Sequence, residues 1–175
     1  MRVIGFAGWS GAGKTTLIVR VLPLLTARGL RVSTVKHAHH GFDLDRPGKD
    51  SWAHREAGAG EVLIASATRF ALLHELRGAP EPGLATLLAH LTPCDLVLVE
   101  GFKRDPIPRI EVHRAGNGKP FLWPDEPGIV AIAADVPVSG AGRPVCGLDD
   151  AAGIAALVVE LAREVPSGAS PPDRA

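Results

Sequence analysis

Gly8-Trp9-Ser10-Gly11-Ala12-Gly13-Lys14-Thr15 is the stretch that decides how this chain is read. It fits G-x-x-x-x-G-K-[S/T] at every fixed position, between an apolar run, Arg2 to Ala7, and an amphipathic one, Lys14 to Arg28. That setting predicts a strand, a tight loop and a helix, with Leu17, Val21, Leu24 and Leu25 on the helix's apolar face. Gly29 is the expected C-terminal stop, and Pro23 interrupts the pattern near its end. Glycines let such a loop curl until successive N–H groups point inward, and the helix adds its positive end, so the loop is a candidate phosphate cradle. The backbone of Ser10, Gly11, Ala12 and Gly13 would form the cup. Lys14 would reach the β and γ phosphates, Thr15 would ligate Mg²⁺, and Thr16 would help at the α phosphate. The alternative, an ordinary glycine-rich turn, leaves Lys14 with little purpose.

Working outward, short apolar runs alternate with helical patterns. This predicts an α/β fold of the P-loop nucleoside triphosphatase type, with a mostly parallel sheet and helices on both faces. Further strands are expected at Arg31 to His37, Asp95 to Val99, Arg109 to His113 and Ile129 to Ala134. Glu61 to Ser66 and Arg69 to Leu76 should pair as an antiparallel hairpin. Helices are expected over Ser51 to Ala59, capped by Asp50, over Leu84 to Leu91, and over Asp149 to Glu164. One nucleotide-binding domain over 1–165 and a flexible tail over 166–175 complete the expected organisation.

Composition narrows the class. Nineteen basic residues balance nineteen acidic ones in 175 residues, so no net field draws the chain to nucleic acid or to an anionic membrane. No stretch reaches the roughly 18 apolar residues of a membrane span, and Val3 to Phe6 is too short for a signal-peptide core. A cytoplasmic location is therefore expected. Cys94 and Cys146 lack metal-site spacing and read as packing residues.

Other chemistry-bearing groups lie where strands should end. Glu100 follows the aliphatic run Leu96 to Val99, the place for a carboxylate that holds Mg²⁺ or orients water; a salt-bridged strand terminus is the plainer alternative. Gly101 could offer its N–H to the γ phosphate. His37, His39 and His40 could contact a phosphate or another anion, bind a transition metal, or serve the loop itself. Asp43 and Asp45 are further candidates for the Mg²⁺ sphere. Lys49, His54 and Arg55 gather positive charge for a second anionic ligand, or form a solvated face. Lys103, Arg104, Arg109 and Arg114 could clamp phosphate or be scattered surface cations. The guanine-reading sequence N-K-x-D is absent. Asp135 is the best single candidate for a base reader, because a carboxylate can accept both the N1 and N2 hydrogens of guanine.

Three stretches together resemble the molybdopterin-guanine dinucleotide biosynthesis protein B family. They are Phe6 to Thr16, then Val35 to His40 continuing through Phe42-Asp43 and Pro47 to Arg55, then Val99-Glu100-Gly101-Phe102-Lys103. The resemblance implies a GTP- and Mg²⁺-binding protein with weak GTPase activity, often a homodimer. Such a protein assists the molybdenum cofactor guanylyltransferase that attaches GMP to molybdopterin, with molybdopterin itself a further possible ligand. By position it assigns Gly11, Gly13, Lys14, Thr15 and Thr16 to GTP and Mg²⁺, with Glu100 alongside; Lys14 and Glu100 are then the catalytic candidates, and His39 and Lys103 fall in family motifs. Two other readings share the loop. One is a small-molecule kinase with Arg104, Arg109 and Arg114 as lid and Asp43 as base; the other is a histidine-loop metallochaperone GTPase.

Overall fold

The computed structural model describes residues 1–38 and 41–165; the tail expected over 166–175 lies outside them. In chain order the elements are β1 (Arg2–Ala7), α1 (Lys14–Thr26), β2 (Val32–Lys36), α2 (Asp50–Glu56), β3 (Glu61–Ala65), β4 (Phe70–His74), α3 (Leu84–Ala89), β5 (Leu96–Glu100), β6 (Arg109–His113), β7 (Ile129–Ala134), β8 (Val145–Gly147), α4 (Ala151–Leu161) and β9 (Arg163–Glu164). Two compact units result: Met1–His37 with the chain from Gly83 onward, and Ala38–Pro82.

Within the first unit the strand order is β2-β5-β1-β6-β7-β8, every pairing parallel, with β9 antiparallel to β1. Strands buried on both faces read as unbroken apolar runs, which is why Val3 to Ala7 and Leu96 to Val99 carry no polar side chain. Alternate residues then divide between two cores. Ile4, Phe6, Leu96, Leu98, Ile110 and Val112 pack against α1 and α4. Val3, Val97 and Val99 pack with Leu84 and Leu88 of α3 on the other face. At the far end of that second face, Phe121, Leu122 and Trp123 from the β6–β7 connection cover Ile129, Ile132 and Ala134. The chain leaves β1 for β2 on one side while β6 lies on the other, so β1 ends at a switch point, where open α/β sheets bind ligands.

Several boundaries differ from expectation. α1 runs through Pro23 to Thr26, and the turn closes with Gly29 at φ 80°. α2 begins at Asp50, so Lys49, not Asp50, occupies the capping position, and Asp50 lies in the first turn. The helix expected over Asp149 to Glu164 is shorter. Asp150 caps it through Gly153 N–H at 2.8 Å, and after Ala162 the chain extends into β9. β9 fits because β6 pairs only with Gly5 to Ala7, leaving Arg2 and Val3 open to a partner. At the start of β5, the Arg31 guanidinium and N–H hold the Asp95 carboxyl below the usual range.

Strand β6, Arg-Ile-Glu-Val-His, is buried throughout in spite of three polar side chains. Glu111 has no solvent exposure, and its two oxygens accept the N–H groups of Leu122 at 2.7 Å and Trp123 at 2.9 Å. His113 stacks on Phe121 at 3.6 Å between ring centroids.

The second unit contains α2 and the β3–β4 hairpin, which is antiparallel as expected, with Leu63 opposite Leu72 and Ala65 opposite Phe70.

Replacing the fully buried Glu111 by Ala strands two part-buried backbone donors, so urea unfolding should show a loss of about 2 to 4 kcal/mol; Glu111→Gln, which keeps one acceptor, should lose clearly less.

Candidate functional site

The loop after β1 is built by close backbone approach. Gly8 has φ 149°, and a Cβ there would fall 2.4 Å from the Val112 carbonyl oxygen, so β1 can bend beside β6 only with glycine at this position. Ala12 N–H donates to Trp9 O at 3.2 Å, and Gly13 caps α1 with φ 93°. The wall is supplied by the β6–β7 connection: Trp9 Nε1 donates to Pro120 O at 2.8 Å and Asn117 Nδ2 to Ser10 O at 3.2 Å. The sequence marks Asn117-Gly118 as turn residues but carries no sign that Asn117 braces the loop.

Lys14 Nζ lies inside the ring of the loop, donating to Gly8 O at 2.9 Å and Trp9 O at 3.0 Å. Burial pushes its pKa below the ordinary lysine value; Glu100 opposes that shift, while Lys103 and Lys36 add to it. Three ammonium groups thus act on one small volume beside a single carboxylate, an arrangement suited to a polyanion.

Glu100 reaches this volume because of strand register. β5 lies between β1 and β2, with Glu100 level with both Phe6 and Lys36. The Thr15 hydroxyl lies 3.1 and 2.9 Å from the two Glu100 oxygens. Lys36 Nζ lies 3.6 Å from Glu100 Oε2 and 3.4 Å from Thr15 Oγ1. Immediately after Glu100 the backbone turns sharply: Gly101 has φ 103°, and a Cβ there would meet His37 Cβ at 2.5 Å. His37 N–H donates to Glu100 O at 2.8 Å, and its ring packs on Phe102 at 5.0 Å. The two strand ends are therefore fastened together next to Thr15.

The cations beyond Glu100 separate into different roles. Lys103 and Arg104 are exposed, and Lys103 acts electrostatically on Lys14. Arg109 is not a surface clamp: it is buried, and its guanidinium donates to the carbonyls of Phe102, Lys103 and Asp105, holding the loop that follows Glu100. The Arg114 guanidinium lies beside the phosphate loop, 3.5 Å from where a Gly13 Cβ would be. It also pairs with Asp135, Nη1 to Oδ2 at 3.8 Å. Asp135 Oδ1 accepts Ala115 N–H at 2.8 Å. Asp135 lines a cavity of about 470 Å³ with Val136, Pro137, Gly147, Leu148 and Asp149, at the ends of β7 and β8.

In the second unit Arg55 is the hub of a charge cluster. It bonds Asp43 at 2.9 Å, Asp45 at 3.3 Å and Glu75 at 3.0 Å, and Ser51 Oγ donates to Asp45 at 2.8 Å. Glu75 and Asp43 raise the Arg55 pKa, while the Asp45 N–H and, after it, the Arg55 guanidinium hold Asp43 below the usual carboxylate range. Arg55 and Asp43, two of the sequence candidates, thus meet each other. His39 and His40 lie outside the described residues, among which no group of three or more His, Cys, Asp or Glu side chains is arranged to hold a metal.

Comparison with known proteins gives this site a family. A model of the family MobB, molybdopterin guanine dinucleotide synthesis protein B, matches residues 3–135. The molybdopterin-guanine dinucleotide biosynthesis adapter protein of Escherichia coli (strain K12) is 40% identical over 161 residues, 90% of this chain and 91% of that protein. The Haemophilus influenzae protein of the same name is 44% identical over 139 residues, 78% of this chain and 76% of its own. A crystal structure of molybdopterin-guanine biosynthesis protein B superposes with a TM-score of 0.72 at 31% identity, covering 91% of this chain and 99% of that one. A homolog from Bacillus stearothermophilus superposes at 0.67 with 26% identity, over 91% of this chain and 97% of its own. The matched residues include the phosphate loop, the Lys36-His37 strand end and the Glu100 turn, and the chain belongs to the MobB family.

Proposed function

We propose that this chain is a cytoplasmic GTP-binding adapter in molybdenum cofactor biosynthesis, serving the guanylyltransferase that attaches GMP to molybdopterin. The names of its relatives support the adapter role. The observation that carries nucleotide binding is the meeting of Lys14, Thr15 and Glu100 at the mouth of α1. A cytoplasmic location agrees with the described helices, none of which is long and apolar enough to cross a membrane.

The donor set fits Mg²⁺: a hydroxyl and a carboxylate, both hard oxygen ligands, already adjacent at Thr15 and Glu100. Bound there, the ion supplies neutralisation of phosphate charge. Lys14, now on two carbonyls, would turn to phosphate oxygens, the N–H groups of Ser10 to Lys14 would supply the cup, and Thr16 would serve the α phosphate. The Gly101 N–H and Lys103, on the loop that Arg109 holds, would serve the γ phosphate. Glu100 would also orient water, but a carboxylate whose oxygens are taken up by Mg²⁺ is a poor base, which supports slow GTP hydrolysis. Asp135 reads the guanine edge from the cavity at the ends of β7 and β8, a cavity of ligand-binding size.

Self-association is part of the proposal. Leu63, Leu72 and Phe70 share one face of the hairpin and are exposed, Phe70 at 73%, which supports a homodimer closing over that face.

Lys14→Ala should weaken Mg²⁺·GTP binding by about 2 to 5 kcal/mol in titration calorimetry, because phosphate charge loses its buried partner; unchanged affinity would refute the site. Asp135→Asn should cut the preference for GTP over XTP by at least about tenfold, since an amide can donate to the xanthine 2-oxygen but cannot accept both guanine hydrogens. Phe70→Lys with Leu63→Lys should shift sedimentation from dimer to monomer and leave GTP affinity unaltered.

A further inference from the structure

Lys36 is the last residue of an edge strand, level with Glu100, and its ammonium lies within 4 Å of both oxygen groups that suit a divalent ion, Glu100 Oε2 at 3.6 Å and Thr15 Oγ1 at 3.4 Å. Its side chain is 59% exposed, whereas Glu100 is 14% exposed. A lysine placed merely to neutralise a strand terminus would have no reason to reach the hydroxyl as well. An ammonium and a divalent cation cannot both sit against the same two groups at these distances without strong repulsion. The Lys36 stem is long and mostly in solvent, so its head can swing a few ångströms at little cost. Lys14, by contrast, is held within the loop by two carbonyls.

Resting on the nucleotide site proposed above, we infer that Lys36 competes with the divalent cation for Glu100 and Thr15 and is drawn off by a terminal γ phosphate, so that it discriminates nucleoside triphosphate from diphosphate. A triphosphate offers the displaced ammonium a new anionic partner next to the metal, and a diphosphate does not. With GDP, the metal and the lysine therefore oppose each other. Lys36 also stands one residue before the end of the first unit: the chain passes through His37 directly into Ala38–Pro82.

The test compares the full-length chain with Lys36→Met, which keeps the length of the stem without its charge, and Lys36→Arg, which keeps the charge. Mn²⁺ binding without nucleotide, followed by electron paramagnetic resonance, should tighten at least about threefold in Lys36→Met, because the competing ammonium is gone. The ratio of GTPγS to GDP affinity in calorimetry should fall about tenfold in the same variant, the loss of one charge-assisted contact, with Lys36→Arg recovering most of it. An unchanged Mn²⁺ affinity together with an unchanged affinity ratio would overturn the inference and leave Lys36 as a solvated strand end. Equal losses for GTPγS and GDP would also overturn it, pointing to a structural role. If the parent chain binds neither nucleotide, the site itself falls; if it binds both and Lys36→Met is indistinguishable from it, only the role of Lys36 falls.

Discussion

The pairing register of β5 between β1 and β2 is the constraint on which the site depends. It sets Glu100 level with Phe6 on one side and with Lys36 on the other. Side chains alternate between faces along a strand, so a slip of one residue would turn Glu100 away from Thr15 and put Val99 in its place. Burial guards against that slip: Leu96 and Leu98 belong to one core, and Val97 and Val99 to the other. Exchanging the faces would move every one of these side chains into packing shaped for another. The site therefore takes its precision from aliphatic residues that touch no phosphate.

Much of this was legible in the chain itself. The phosphate loop, the buried strands β1, β5, β6 and β7, and the hairpin follow from periodicity and turn chemistry, and the structure has them near the expected residues. The short strands β8 and β9 did not follow. Val145–Gly147 and Arg163–Glu164 are too brief to show a period, and they exist because neighbouring strands leave an unpaired edge. Arg109 was misread for a related reason. Its charge suggests a surface, but it opens β6, a strand held between β1 and β7, and it is buried there with its Nη2 donating to loop carbonyls. Asn117 and Trp9, which brace the loop, gave no signal because their partners are backbone atoms more than 100 residues away in the sequence.

The second unit shows a different balance. Its hairpin buries Val62 but leaves Leu63, Ile64, Phe70 and Leu72 exposed, so apolar burial within it is limited. The Arg55 cluster offsets this by tying the Asp43–Asp45 loop to the end of the hairpin at Glu75. Three carboxylates from two segments satisfy one guanidinium, and such a hub fixes geometry more than it adds stability. Spacing alone shows two aspartates and an arginine; their convergence needs the folded loop.

Strand β6 carries a carboxylate into the interior on one condition, that the N–H groups of Leu122 and Trp123 are there to receive it. These donors lie downstream of the strand they satisfy. During synthesis, β1, β2 and β5 can associate as soon as they emerge, but β6 meets an energetic barrier to insertion until the segment through Trp123 has left the ribosome. Because Gly8 bends against Val112 of that same strand, the packing that receives the Glu111 carboxylate also sets the backbone against which the loop after β1 turns.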